Sequence, residues 1–180
     1  MRPTVLIDEK QLQLIINRLS HQLVENHRDF SNTVIIGLQP RGVNLAKRIQ
    51  AKINEITKMN VPVGNLDVTF FRDDFRRRDK PIQANSTEVD FLIENKHVVL
   101  VDDVLFTGRT IRAGLDAMLA YGRPASVELC VLIDRRFSRQ LPVEPNYVGK
   151  AIDSIDSQRV TVSWKETSAA DCVELHSQKQ

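Results

Sequence analysis

The residue types best equipped for chemistry gather in residues 98–110, V-V-L-V-D-D-V-L-F-T-G-R-T. Asp102 and Asp103 are adjacent carboxylates closing an apolar run, and Thr107, Gly108, Arg109 and Thr110 follow where a helical pattern begins. A helix start offers unpaired N–H groups and the positive end of the helix dipole, which suit a phosphate. Glycine lets the backbone approach closely, and two threonines add hydroxyl donors. Acids that hold hydroxyls, a few residues from a phosphate cradle, point to a ribose phosphate. The plainer alternative is a strand ending in solvated aspartates before a capped helix.

Two further clusters carry polar chemistry. Gln39, Pro40, Arg41 and Gly42 form a tight link between a β-branched run and a helical pattern. Arg72, Asp73, Asp74, Arg76, Arg77, Arg78 and Lys80 make a charge-dense stretch, which on residues alone reads as a mobile solvated loop. Other chemistries are excluded by inspection. No two of the seven glycines stand two apart, so there is no dinucleotide fingerprint. The spacing from Gly37 to Gly42 continues into Val43 and Asn44 where a nucleotide triphosphate loop needs Lys and Ser or Thr. His21, His27, His97 and His176 lack metal-ligand spacing, and no G-x-S-x-G elbow occurs.

The elements that would position these groups alternate. Asp8 and Gln11 have capping-box spacing, and Leu12, Ile15, Ile16, Leu19 and Leu23 predict a helix from Glu9 to about His27. Residues 33–38 predict a strand, and Leu45, Ile49, Ile53 and Ile56 a helix after it. Residues 65–71 alternate as a half-buried strand, and 97–101 read as a strand buried on both faces. A helix over 107–121 is stopped by Gly122, followed by strands over 126–133, 146–148 and 160–164. An α/β fold follows, a mostly parallel sheet flanked by helices, in a single domain with its core roughly over 1–135 and a small C-terminal hood over 136–180.

Length and composition agree. One hundred and eighty residues suit one domain with a buried core, and 42% hydrophobic with 27% charged residues is ordinary for soluble globular chains. A net charge of +2 does not by itself announce nucleic-acid binding. Cys130 and Cys172 form neither a disulfide framework nor a CxxC motif, so a reducing, cytoplasmic compartment is expected. The short apolar opening before Asp8 is too brief for a signal peptide or membrane span.

Residues 98–110 resemble the phosphoribosyl-pyrophosphate signature of type I phosphoribosyltransferases. The resemblance widens over V-L-I-D-E, R-G-V-N-L-A-K-R-I, L-D-V-T-F-F-R-D-D, Y-G-R-P-A-S, V-L-I-D-R and Y-V-G-K, which together are similar to the bifunctional pyrimidine operon regulator and uracil phosphoribosyltransferase family. That likeness implies a type I phosphoribosyltransferase fold and transfer of phosphoribosyl from phosphoribosyl pyrophosphate to uracil, giving UMP and pyrophosphate. It assigns Asp102 and Asp103 to the ribose hydroxyls, directly or through magnesium, with Arg72 as a catalytic candidate. Thr107, Gly108, Arg109 and Thr110 would hold the 5'-phosphate. Pro40, Arg41 and Gly42 would receive pyrophosphate, with a cis Gln39–Pro40 peptide. The Arg72–Lys80 charges would form a flap closing over the substrate, and Asp134, Arg135, Val160 and Val162 would meet the base. Magnesium is the implied cofactor, held mainly by substrate oxygens and the acidic pair.

The same likeness implies UMP-dependent binding of pyrimidine leader RNA, for which Arg18, His21, Arg28, Lys47, Arg48 and Lys52 offer basic helix positions. The chain departs from the RNA-regulating members at Leu14, Asn17, Pro40 and residues 135–139. Alternative readings are an RNA regulator with vestigial catalysis and a purine phosphoribosyltransferase. A dimer at least is expected, with Phe70, Phe71 and Phe75 as a candidate contact.

Overall fold

The computed structural model describes residues 3–73 and 86–177. Strand β1 (Thr4–Ile7) leads into helix α1 (Glu9–His27). Asp8 Oδ1 accepts from the Gln11 N–H at 2.8 Å while the Gln11 side chain returns to the Asp8 N–H, so the expected capping box is formed. Leu12, Ile16, Leu19 and Leu23 make its buried stripe. Next come β2 (Thr33–Leu38), α2 (Gly42–Thr57), β3 (Val63–Leu66), β4 (His97–Leu105), α3 (Arg109–Met118) and β5 (Ser126–Arg136). Strands β6 (Tyr147–Asp153), β7 (Gln158–Ser163) and β8 (Cys172–Ser177) follow.

Five strands form one sheet in the order β3-β2-β4-β5-β6, every neighbouring pair parallel. Strand alternation divides its apolar residues between two cores. Val99 and Val101 join α1, α2 and the hood residues Val160, Trp164 and Val173 on one face. Val98 and Leu100 meet Ile111, Ala117 and Met118 of α3 on the other. Each buried Leu or Ile contributes about 1.5–3 kcal/mol by leaving water, so two covered faces make this sheet the stable frame for the loops at its carboxyl ends.

Four expectations are corrected. Residues 65–71 are not one strand: β3 ends at Leu66, and Asp67 Oδ1 accepts from the Thr69 N–H at 3.0 Å and the Thr69 hydroxyl at 2.6 Å, curling Thr69–Phe71 into a 3-10 turn. Strand β4 runs on to Leu105, so the two aspartates lie inside a paired strand rather than beyond its tip. The helix after it begins at Arg109, with a 3-10 turn over Leu119–Tyr121 closing it. The core and hood do not divide at residue 135. β6 pairs with β5 in the main sheet, whereas the hood sheet is β1-β8-β7 and takes its edge strand from the chain's beginning.

Candidate active site

Three adjoining hollows open at the carboxyl ends of the parallel strands. The central one, of about 540 Å³, is lined by Pro40, Arg41, Arg72, Asp102, Asp103 and Arg135 among others. A second, of about 260 Å³, is enclosed by residues 104–111 with Arg72, Asp73 and Asp102. The third, of about 270 Å³, lies between Pro40, Arg41, Asn44, Asp103 and the hood residues Thr161, Val162, Trp164 and Thr167. Adjacent strand residues point to opposite faces, and this decides how the acidic pair is used. Asp102 lines the hollow of residues 104–111, Asp103 lines the hollow of Pro40 and Arg41, and both reach the centre.

Both carboxyls are nearly sealed, at 5% and 3% exposure. Burial, reinforced by the Asp103 charge, holds the Asp102 carboxyl well above the usual carboxylate range. Burial likewise raises Asp103, to about 6, while the Arg41 charge opposes the shift. Asp102 Oδ1 accepts from the Asp103 N–H at 2.9 Å, which orients the first carboxylate. Such a pair gains most from a partner that supplies positive charge or hydroxyl donors in place of lost water.

Each neighbouring helix starts without a side-chain cap, leaving first-turn N–H groups free of intrahelical acceptors. At α2 the Gln39–Pro40 peptide is cis, as expected, and Gly42 presses on the sheet so closely that a Cβ there would lie 2.2 Å from the Val101 carbonyl oxygen. At α3 the preceding Gly108 has φ of 89°, a left-handed conformation open to glycine. Arg109 turns back to Asp73 and donates through Nε to Gln140 Oε1 at 2.8 Å.

A model of the phosphoribosyl transferase domain matches residues 6–167. The chain belongs to the phosphoribosyl transferase family. It is 42% identical to the bifunctional protein PyrR of Oceanobacillus iheyensis, over 97% of this chain and 98% of that one. To PyrR of Caldicellulosiruptor bescii it is 45% identical, over 87% and 86% respectively. Among solved structures, a hypoxanthine phosphoribosyltransferase from Staphylococcus aureus superposes with a TM-score of 0.72 at 21% identity, covering 95% of this chain and 90% of that one. The family match and this likeness establish the type I phosphoribosyltransferase fold, here a five-stranded parallel sheet with a small antiparallel hood.

Most of the expected phosphoribosyltransferase site residues come together. Arg72, Asp102, Asp103, Thr107, Gly108, Arg109, Thr110, Pro40, Arg41, Arg135 and Val160 line the hollows, with Val162 in the smaller one beside the hood. Gly42 lies at the base of its loop, packed on the sheet. Asp134 does not reach the central hollow. It alternates with Arg135 on β5 and holds Arg139 at 2.5 Å. Asp73 is engaged with Arg109, while Asp74, Arg76, Arg77, Arg78 and Lys80 lie outside the described residues, as does Phe75.

The proposed basic face is also revised. Arg18 donates to the carbonyls of Val148 at 3.2 Å and Gly149 at 2.5 Å, tying α1 to β6. Arg48 forks onto Glu166 and Asp171 at 2.7–2.9 Å and stacks over the Trp164 ring, fastening α2 to the hood. Its carboxylate partners hold the guanidinium more firmly protonated than usual. Lys52 pairs with Glu55, and Arg28 forms the C-cap of α1. His21 and Lys47 remain exposed.

The sequence reading missed Phe106, Asp156, Gln158 and Arg159, all on the central hollow. Phe106 was legible as an aromatic inside the signature. Its ring lies 3.9 Å from the Arg135 guanidinium, which also donates to Ser154 Oγ and the Ile155 carbonyl. Asp156 lies in the polar loop after β6, and Gln158 and Arg159 open β7 ahead of its apolar residues, where the sequence gave no periodic signal.

Proposed function

We propose that the protein transfers the phosphoribosyl group of phosphoribosyl pyrophosphate to uracil, and that it regulates pyrimidine genes by binding their leader RNA when UMP is bound. The observation carrying the transferase reading is the buried acidic pair between two uncapped helix starts, with one carboxylate facing each. Ribose hydroxyls would lie on Asp102 and Asp103, the 5'-phosphate in the loop of residues 107–110, and pyrophosphate at Arg41 and the start of α2.

In this reading the bond from C1 to the pyrophosphate oxygen breaks, uracil N1 bonds to C1, and the N1 proton is released. Positive charge grows on the ribose ring as the bond breaks, beside two carboxylates fixed in a low-dielectric site. Arg41 and Arg72 face the departing pyrophosphate with opposite charge. Two buried carboxylates beside an open hollow suit magnesium, a hard cation that prefers oxygen ligands and keeps waters. Bound there, it would neutralise pyrophosphate charge and order the ribose hydroxyls. Arg135, with Val160 and Phe106, supplies an apolar wall and a donor for a planar base.

No helix among the described residues is long and apolar enough to cross a membrane, and we place the protein in the cytoplasm. Exposed Phe70 and Phe71 beside the site are the proposed contact of a homodimer at least. The deciding assay supplies phosphoribosyl pyrophosphate, magnesium and separate bases, then measures pyrophosphate release. Release with uracil supports the reading, preference for hypoxanthine or guanine moves it to a purine enzyme, and silence with every base leaves the RNA regulator. That second role is tested by UMP-strengthened, salt-sensitive binding of leader RNA.

A further inference from the structure

The segment after β5 grips the loop between β4 and α3 from its outer side. Arg139 Nη1 donates to the Phe106 carbonyl at 2.5 Å, and its Nη2 donates to Asp134 Oδ1 at 2.5 Å. Both side chains are largely buried, at 23% and 14% exposure, so the guanidinium is held in one orientation. The N–H groups of Gln140 and Leu141 then donate to the Thr107 carbonyl at 3.0 and 3.2 Å. Two successive carbonyls of the loop are therefore committed to one strap.

Peptide planarity turns this into a statement about the hollow. In a trans peptide the C=O and the following N–H point in opposite directions. The carbonyls of Phe106 and Thr107 face the strap, so the N–H groups of Thr107 and Gly108 face away from it, towards the hollow enclosed by residues 104–111. Neither N–H has a hydrogen-bond partner among the described residues. A pair of aimed, unpaired backbone donors suits a phosphate oxygen, and its usefulness depends on not having to reorganise when the anion arrives.

We propose that Arg139, seated on Asp134, is a positioning residue that aims the Thr107 and Gly108 N–H groups at the 5'-phosphate of the substrate, with residues 139–141 acting as the strap. The assignment rests on the phosphoribosyl pyrophosphate reading and deepens it. Arg139 touches no reacting atom. Its guanidinium acts through the Phe106 carbonyl and seats the strap whose Gln140 and Leu141 N–H groups hold the Thr107 carbonyl, and it selects for ligands bearing a 5'-phosphate.

The test measures, by calorimetry on the full chain, the affinity for UMP, for ribose 5-phosphate and for pyrophosphate alone. Arg139→Ala is expected to weaken UMP and ribose 5-phosphate about 10-fold and to raise KM for phosphoribosyl pyrophosphate by a similar factor, with kcat and pyrophosphate affinity changing less than about 2-fold. Arg139→Lys, which keeps a cation on Asp134, should recover part of the loss, and Asp134→Asn should shift the same two ligands less. UMP affinity untouched in Arg139→Ala overturns the proposal, and so does equal weakening of pyrophosphate, which would mean general loosening. Where the alanine variant does not fold, the lysine and Asp134→Asn variants are read by the same contrast. If the unaltered protein binds neither UMP nor ribose 5-phosphate, the substrate reading and this inference fall together.

Discussion

The two uncapped helix starts that flank the acidic pair are built by different means. At α2 the loop is set by backbone against backbone: Gly42 sits under the Val101 carbonyl with no room for a methyl group. At α3 the loop is set by side chains and a strap, and Gly108 has Leu141 and Val143 side chains 3.3–3.4 Å from where a Cβ would be. The first arrangement is all-or-none, because sheet and helix cannot part without opening the core. The second is graded, because side chains can yield a few tenths of an ångström. Pyrophosphate is then expected to meet a fixed seat and the ribose 5-phosphate a tunable one.

Gly42→Ala carries the largest expected effect. A Cβ 2.2 Å from a carbonyl oxygen forces α2 off β4, so a loss of about 3 kcal/mol in stability and of nearly all UMP formation is expected, checked by thermal melting and pyrophosphate release. An alanine variant that melts and turns over like the unaltered protein breaks the comparison.

Asp103→Asn should come next, lowering turnover about 100-fold. Stability should move the other way. The folded carboxyl titrates near 6 against an ordinary value of 3.8, so the folded state holds the proton more tightly and the carboxylate costs stability as pH rises from about 4 to 6. The asparagine variant is expected to gain about 1–3 kcal/mol over the unaltered protein at pH 7–8, with the advantage fading towards pH 4, read from melts across that range. An advantage that grows on acidification would contradict the assigned burial.

Gly108→Ala is the smallest of the three. Its φ of 89° is strained for any side chain by about 1–2 kcal/mol, but Leu141 and Val143 can adjust. A melting point lower by a few degrees and UMP binding weaker by about 10-fold are expected, with pyrophosphate binding retained. A Gly108→Ala loss as severe as that of Gly42→Ala would mean both seats are fixed.

How much could be read beforehand follows from where the partners lie. The apolar run into Asp102 and Asp103, the Asp8 and Gln11 box and the Gly122 stop are local signals, and each element they predicted exists. β1 and β8 were illegible because they are short, half exposed and paired only with each other and β7. Arg18 and Arg48 look like solvated cations in sequence, since Val148, Gly149, Glu166 and Asp171 lie more than a hundred residues away. Asp134 and Arg135 alternate on β5, and the structure places Arg135 on the central hollow and Asp134 against Arg139, a division that period-two alternation makes legible. The same alternation explains the acidic pair, whose members serve opposite sides of one cavity.

The hood's strand order bears on how the chain is made. β1 precedes the parallel sheet in the chain, yet its ladder partner β8 follows that sheet, whereas β2 to β6 pair among themselves without either. During synthesis the parallel sheet can close while β1 waits as an open edge, and the roof over the acidic pair is completed only once residues 172–177 have cleared the ribosome.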